Sequence, residues 1–482
     1  MVARKSSGEA YTLDFRESAP AAAHRDFYLD TAGNTVSGKS TDTHYAAGVP
    51  GTVRGLFAAR DSLGSLPMSE LMAPAIALAE YGFPLTQLQA DLLNRFRETF
   101  EARNDAPLPF VSADGFWQKG DTLKQIVLAS TLRRISENGA DEFYSGTTAQ
   151  MTLRETDGRG KWFTAEDLAN YRVKWRTPQF CKFDSIRIIS MGPPSSGGVA
   201  LCQLMELYEI AEGDSLSHNS AEYIHRLVEM QRRVYADRAA HLGDPDFYDV
   251  PAEALVNREY LSTRWLDFNP NRATPSTDIK EGVLISESTE TTHLSVIDEK
   301  GNAVSVTTTL NGNFGAKIAV AEAGFLLNNE MDDFSVKPGT PNMFGLIGGE
   351  ANAVEPQKRM LSSMTPVIVE KNGALMMVAG SPGGSTIITS VLQTVLNTAL
   401  FGMPIEEAIA APKFHSQWLP DKVLFEKDRF PADVISKLES MGHRIEYIES
   451  LGRVDAVSAL PDGSLTAAGD PRADNAAGGY KK

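Results

Sequence analysis

The sequence predicts an α+β protein, and three features carry that reading. Residues 292–297 and 303–310 are runs rich in β-branched side chains flanking Glu299-Lys300-Gly301, a loop with glycine late in it that favours a hairpin. Residues 367–370 and 375–379 repeat the arrangement around Asn372-Gly373. Helical apolar faces recur at 199–210, 220–241 and 386–400.

At 482 residues and 42% apolar content, the chain can bury a large core, and length alone suggests two or three domains. A net charge of −16 excludes a nucleic-acid surface, because phosphate binding needs a concentration of Lys and Arg that no stretch supplies. Small-molecule substrates fit better. No apolar run reaches the roughly 18 residues that span a bilayer, and residues 1–8 lack the apolar core of a secretion signal. Cys181 and Cys202 are the only cysteines, which rules out a disulfide framework and a four-thiolate metal site; buried thiols or one bridge remain open.

In chain order, residues 11–16 alternate like a strand, and Arg16 is either its surface end or a ligand for a carboxylate, a role that suits a bidentate guanidinium. Residues 49–64 and 69–82 read as core helices, the second capped by Ser69 with Leu71, Ala75, Leu78 and Ala79 on its apolar face. A long polar helix spans about 88–102, and another helix spans 121–136. Gly197-Gly198 opens the helix at 199 as either an anion cradle or a tight packed turn. The helix at 220–241 presents Tyr223, Leu227, Met230 and Val234 to the core. Residues 244–290 are Pro-rich and polar, and their last twenty read as a mobile loop.

The first hairpin follows that loop, and with Lys300 at its tip Thr291 falls opposite Thr309. If the chain is cut between Glu290 and Thr291, the freed α-amine, with a pKa near 8, can serve as general base for the Thr291 hydroxyl. Beyond a short apolar strand at 323–328, residues 335–360 hold no credible element and read as a lid. Ser381-Pro382-Gly383-Gly384-Ser385 then opens the helix at 386. With Ser381 as cap and Pro382 first, the amides of Gly383 and Gly384 become candidate oxyanion donors. His293 and His415 are isolated and read as structural, and no His/Asp or His/Cys spacing supports a serine triad or metal site.

Four ordered motifs, Thr291-Thr292-His293-Leu294-Ser295-Val296, Asn328-Asn329-Glu330-Met331-Asp332-Asp333, Leu361-Ser362-Ser363-Met364 and Gly380-Ser381-Pro382-Gly383-Gly384-Ser385, together resemble the γ-glutamyltranspeptidases, or glutathione hydrolases. The likeness runs from about Thr12 to Arg472. It implies an N-terminal-nucleophile hydrolase with a four-layer αββα sandwich, made as a precursor that cuts itself into residues 1–290 and 291–482, which stay together as a heterodimer within one intertwined domain. The implied roles are Thr291 as nucleophile, Thr309 as its orienting partner, and Gly383 and Gly384 as oxyanion donors. Arg16, Ser362 and Ser363 would take a substrate α-carboxylate, and Asn311, Glu330 and Asp333 its α-amine. The implied substrates are glutathione and other γ-glutamyl compounds, the acceptors water, amino acids or dipeptides, and the location periplasmic or secreted; no cofactor is called for.

Two departures stand out. The family carries an upstream segment with a signal sequence, a helix and a Gly-rich strand, and this chain reads as lacking it. Phe344 stands where many bacterial members carry Tyr in the lid loop. The rival readings are a cephalosporin or glutaryl acylase of the same fold, disfavoured because Glu330 and Asp333 would face an uncharged acyl chain, and a non-processing protein that only binds γ-glutamyl compounds.

Overall fold

Two antiparallel sheets lie face to face in this computed structural model, which describes residues 1–157, 159–280, 291–340 and 348–480. Their strands are β1 (Val2–Arg4), β2 (Ala10–Asp14), β3 (Lys174–Arg176), β4 (Gln179–Phe183), β5 (Ile186–Ser190), β6 (Thr292–Ile297), β7 (Ala303–Thr308), β8 (Val367–Lys371), β9 (Ala374–Gly380), β10 (Asp455–Ala459) and β11 (Leu465–Ala468). The first sheet has the order β3-β2-β1-β7-β6, and the second β11-β10-β9-β8-β5-β4. Each sheet therefore mixes strands from before and after residue 290.

Alternation along the strands sets the layers. Ile368 of β8 and Val378 of β9 meet Val2, Ile189 and Ala303 between the sheets. Val367, Val369, Met377 and Ala379 point the other way, beneath the helices α1 (Gly197–Ile210), α2 (Ala221–His241) and α3 (Thr386–Ala399). On the far side of the first sheet, helix Thr52–Leu63 meets Phe15: a Cβ on its Gly55 would lie 2.4 Å from the Phe15 ring. The arrangement is the αββα sandwich, although β6 turns Leu294 and Val296 outward at 58% and 43% exposure.

The first hairpin has the expected register, with Thr292 opposite Thr308 and Ile297 opposite Ala303. Its loop is held by the Asp298 carboxylate, which accepts from the amides of Lys300 and Asn302, while Gly301 takes φ +81°. In the second hairpin Asn372 and Gly373 both adopt positive φ, as its tight turn requires.

Several local expectations are corrected. The helix beginning at Met68 has no side-chain cap, so Ser69 lies inside it, and Leu71 and Leu78 are 47% and 54% exposed rather than core. The long helix at 88–102 is two, Gln87–Arg95 and Arg97–Arg103, the first closed by a Thr86/Gln89 capping box. The strand expected at 323–328 shrinks to Phe325–Leu326, paired with Ala319–Val320. Gly197 and Gly198 are packing glycines: added Cβ atoms would lie 2.3 Å from Thr365 Oγ1 and 2.2 Å from the Met191 carbonyl.

Cys181 of β4 and Cys202 of α1 form a disulfide with Cα atoms 5.4 Å apart, pinning a sheet edge to the helix above it. A 21-residue separation gives a chain-entropy stabilisation of about 3 kcal/mol. Cys181→Ser is expected to lower the unfolding free energy by that order, and dithiothreitol should bring the parent down to the variant. A parent whose denaturation midpoint ignores reductant would contradict this.

Candidate active site

Arg16 follows the end of β2 and is 6% exposed, because the chain dives inward after Asp14. Asp14 holds that turn: one carboxylate oxygen accepts from the Arg16 amide at 2.9 Å, and the other pairs with Arg176 at 2.7 Å and with Arg359. Arg16 Nη1 then lies 2.5 Å from the Glu330 carboxylate and 3.7 Å from Glu17, and Nη2 pairs with Asp333.

Glu330 and Asp333 occupy one 3-10 turn, Glu330–Asp333, so both carboxylates reach the same guanidinium. Asn328 fixes this turn by accepting from the Glu330 and Gly48 amides and donating to the Gly48 carbonyl. Asn311, at φ +75°, donates Nδ2–H to the Asn329 carbonyl at 2.9 Å, which sets it beside the acids. Asn352 donates to the Asp333 carbonyl and accepts from the Leu361 amide, tying the acidic turn to Ser362 and Ser363.

The cation and acids that sequence placed at opposite ends of a substrate thus face each other directly, since opposite charges buried together pair. Burial pushes the Glu330 carboxyl well above its usual range; Arg16 opposes that rise, and Glu17 and Asp333 add to it. Asp333 is raised for the same first reason, against the pull of Arg16, and burial raises Glu17. Three carboxyl groups surround the single Arg16 guanidinium, so the acids outnumber it.

One cavity is lined by Arg16, Glu17, Ser195, Thr307, Thr309 and Ser362 among others. Thr309 Oγ1 accepts from the Asn311 amide at 2.8 Å. The paired ladder ends at Thr292 and Thr308, and Thr291 and Thr309 are the next residues on either side of the hairpin mouth. Thr291 borders a second, larger groove together with Pro382 and Arg453. Glu290 and Phe344 lie outside the described residues.

The two sheets meet closely here, where a Cβ on Gly380, the last residue of β9, would fall 2.2 Å from the His293 ring. His293 is therefore part of a network. Ser295 Oγ donates to the Asp455 carbonyl, so His293 Nε2–H donates to Ser295 and Nδ1 accepts from Thr307. Burial, with a small push from the N-terminal cation, lowers this imidazole to about 3 and keeps it neutral. His415, likewise pushed by burial to about 4, bonds Thr389 and Gln417 behind the loop at 381–385.

That loop corrects the expected helix start. Helix α3 begins at Thr386; Ser381 caps nothing, donating instead to the Pro382 carbonyl and accepting from the Arg453 amide. Gly383 and Gly384 take φ +132° and +55°, values a side chain resists, in the turn before the helix. Among the described residues neither amide has a backbone acceptor.

An αββα sandwich with a threonine at the start of a hairpin on one edge of the first sheet is the architecture of the N-terminal-nucleophile hydrolases. The family model for Gamma-glutamyltranspeptidase matches residues 1–480, beyond the motif-bearing span at both ends, and the chain belongs to that family. It is 44% identical over 483 residues to the glutathione hydrolase proenzyme of Escherichia coli, covering 100% of this chain and 83% of that one. The Pseudomonas aeruginosa proenzyme is 42% identical over 96% of this chain and 83% of its own. Among solved structures, a cephalosporin acylase from Bacillus halodurans shares the fold at TM-score 0.85 and 22% identity, over 100% of this chain and 86% of that one. The Helicobacter pylori γ-glutamyltranspeptidase aligns at TM-score 0.56 and 39% identity, over 58% of this chain and 81% of that one.

Sequence reasoning missed Asn352, which holds the Asp333 carbonyl, and Arg238, which donates to Ser196 and Ser363. Asn328 was quoted only within the motif that carries Glu330, with no role of its own.

The raised Glu330 carboxyl has a consequence for any ligand that brings an ammonium. The ionised acid is the form that pairs with a cation, so a bound proton must leave first. KM for such a ligand should fall as pH rises above the ordinary carboxylate range, and Glu330→Gln should flatten that slope. Parallel KM profiles for parent and variant, measured with a γ-glutamyl anilide, would contradict the assignment.

Proposed function

We propose that this chain is a self-processing amidase that cleaves the γ-glutamyl bond of glutathione and related compounds through a γ-glutamyl ester of Thr291, and passes the acyl group to water, an amino acid or a dipeptide. Family membership supports the reaction class. The observation that carries the substrate reading is the cluster of buried Arg16 and Glu330 with half-buried Asp333, near the buried Ser362 and Ser363. A zwitterionic α-carbon end matches it by exchanging partners: its carboxylate takes Arg16 and the serine hydroxyls, and its ammonium takes the acids and Asn311.

In this reading Thr291 Oγ attacks the Glu290 carbonyl, the peptide shifts to an ester, and water opens it to free residues 1–290 and 291–482. Strands of both parts are shared within each sheet, so the fragments have reason to stay together as a heterodimer. The new α-amine then takes the Thr291 proton as its hydroxyl attacks the γ-carbonyl, Thr309 orients that hydroxyl, and the Gly383 and Gly384 amides receive the oxyanion. A periplasmic or secreted location accords with the disulfide, and no described helix is long and apolar enough to cross a membrane.

Intact-mass measurement of the purified chain tests the processing step. The parent should give two fragments meeting at Glu290–Thr291, and Thr291→Ala a single chain; an alanine variant that still splits there would remove Thr291 from its role. Thr309→Ala should mature slowly and turn over on the order of 10²- to 10³-fold less, the loss seen when one hydrogen bond to a reacting group is removed.

A further inference from the structure

Arg238 lies in the last turn of α2, 4% exposed, on a helix whose neighbouring residues serve the core. Its fork does not point into that core. Nε donates to Ser196 Oγ and Nη2 to Ser363 Oγ, each at 2.9 Å. Ser196 in turn donates its hydroxyl hydrogen to the Ser362 carbonyl at 2.7 Å, and its amide reaches the same carbonyl at 2.8 Å. One planar side chain thus grips both walls of the segment that presents Ser362 and Ser363. Two parallel N–H groups at fixed spacing suit guanidinium, and a single ammonium cannot reproduce them.

The direction of these bonds matters. A hydroxyl oxygen that accepts from a guanidinium keeps its own hydrogen for donation, and the positive charge strengthens that donation. Ser363 is therefore biased toward donating, the polarity a carboxylate needs. Arg238 also bears on Asp333, whose carboxyl it draws down against the rise caused by burial.

We infer that Arg238 is a positioning residue for substrate recognition: it fixes the Ser363 hydroxyl as a hydrogen-bond donor to the substrate α-carboxylate and so sets the selection of α-amino-acid acyl groups. The inference rests on the proposed placement of that carboxylate at Ser363.

The test is steady-state hydrolysis of a γ-glutamyl anilide by the mature enzymes of parent, Arg238→Gln, Arg238→Lys, Ser363→Ala and the Gln/Ala double variant. Arg238→Gln should raise KM about tenfold, the scale of a lost charge-assisted hydrogen bond, with kcat changed less than about threefold. Arg238→Lys should fall between parent and Gln variant, and the double variant should be no worse than the poorer single. Should Arg238→Gln fail to mature, Arg238→Lys carries the same comparison. A loss confined to kcat or to mature yield, or a double variant whose KM rise is the product of the two singles, would overturn the inference. If Ser363→Ala leaves KM unchanged, the placement of the carboxylate itself fails; if it raises KM and Arg238→Gln does not, only the role of Arg238 fails.

Discussion

The site depends on one buried cation. Arg16 lies among Glu17, Glu330 and Asp333, and removing one partner from such a group leaves uncompensated charge in a low dielectric, a cost of several kcal/mol. That constraint explains the scaffolding around it. Asp14 turns the chain inward, Asn328 clamps the acidic turn, and Asn352 joins that turn to the serine segment. A cluster with excess carboxylate is a poor host for an uncharged acyl chain and a good one for an ammonium, which separates the proposed function from an acylase of the same fold.

The second constraint is the contact between sheets. Gly380 leaves room for His293, and Ser305 on the facing strand donates to the Ala379 carbonyl at 3.0 Å. Backbone approach this close brings the loop at 381–385 toward the hairpin, and its Pro382 borders the same groove as Thr291. The neutral His293 takes part as a bridge whose tautomer is dictated by Ser295.

What sequence revealed and what it hid divide along range of interaction. The hairpin register, with Thr292 opposite Thr308, was legible, because a short turn fixes hairpin pairing locally. The core faces of α2 and α3 were legible by periodicity. The Cys181–Cys202 bridge was left open, since spacing alone cannot say whether two thiols meet. The exposure of Leu71 and Leu78 was misread because an apolar stripe does not say what covers it. Arg16 was assigned to a carboxylate, yet its pairing with residues more than 300 positions away depends on the whole fold. Arg238 was hidden inside a helix that reads as core.

The charge cluster as an amino-acid selector is the central claim, and the most direct measurement compares γ-glutamyl with glutaryl anilide on the mature enzyme. The two differ only in the α-amine. The account predicts that kcat/KM falls about 5- to 150-fold for the glutaryl compound, since buried acids left unpaired cost about 1–3 kcal/mol. Equal kcat/KM for the two would contradict it and favour the acylase.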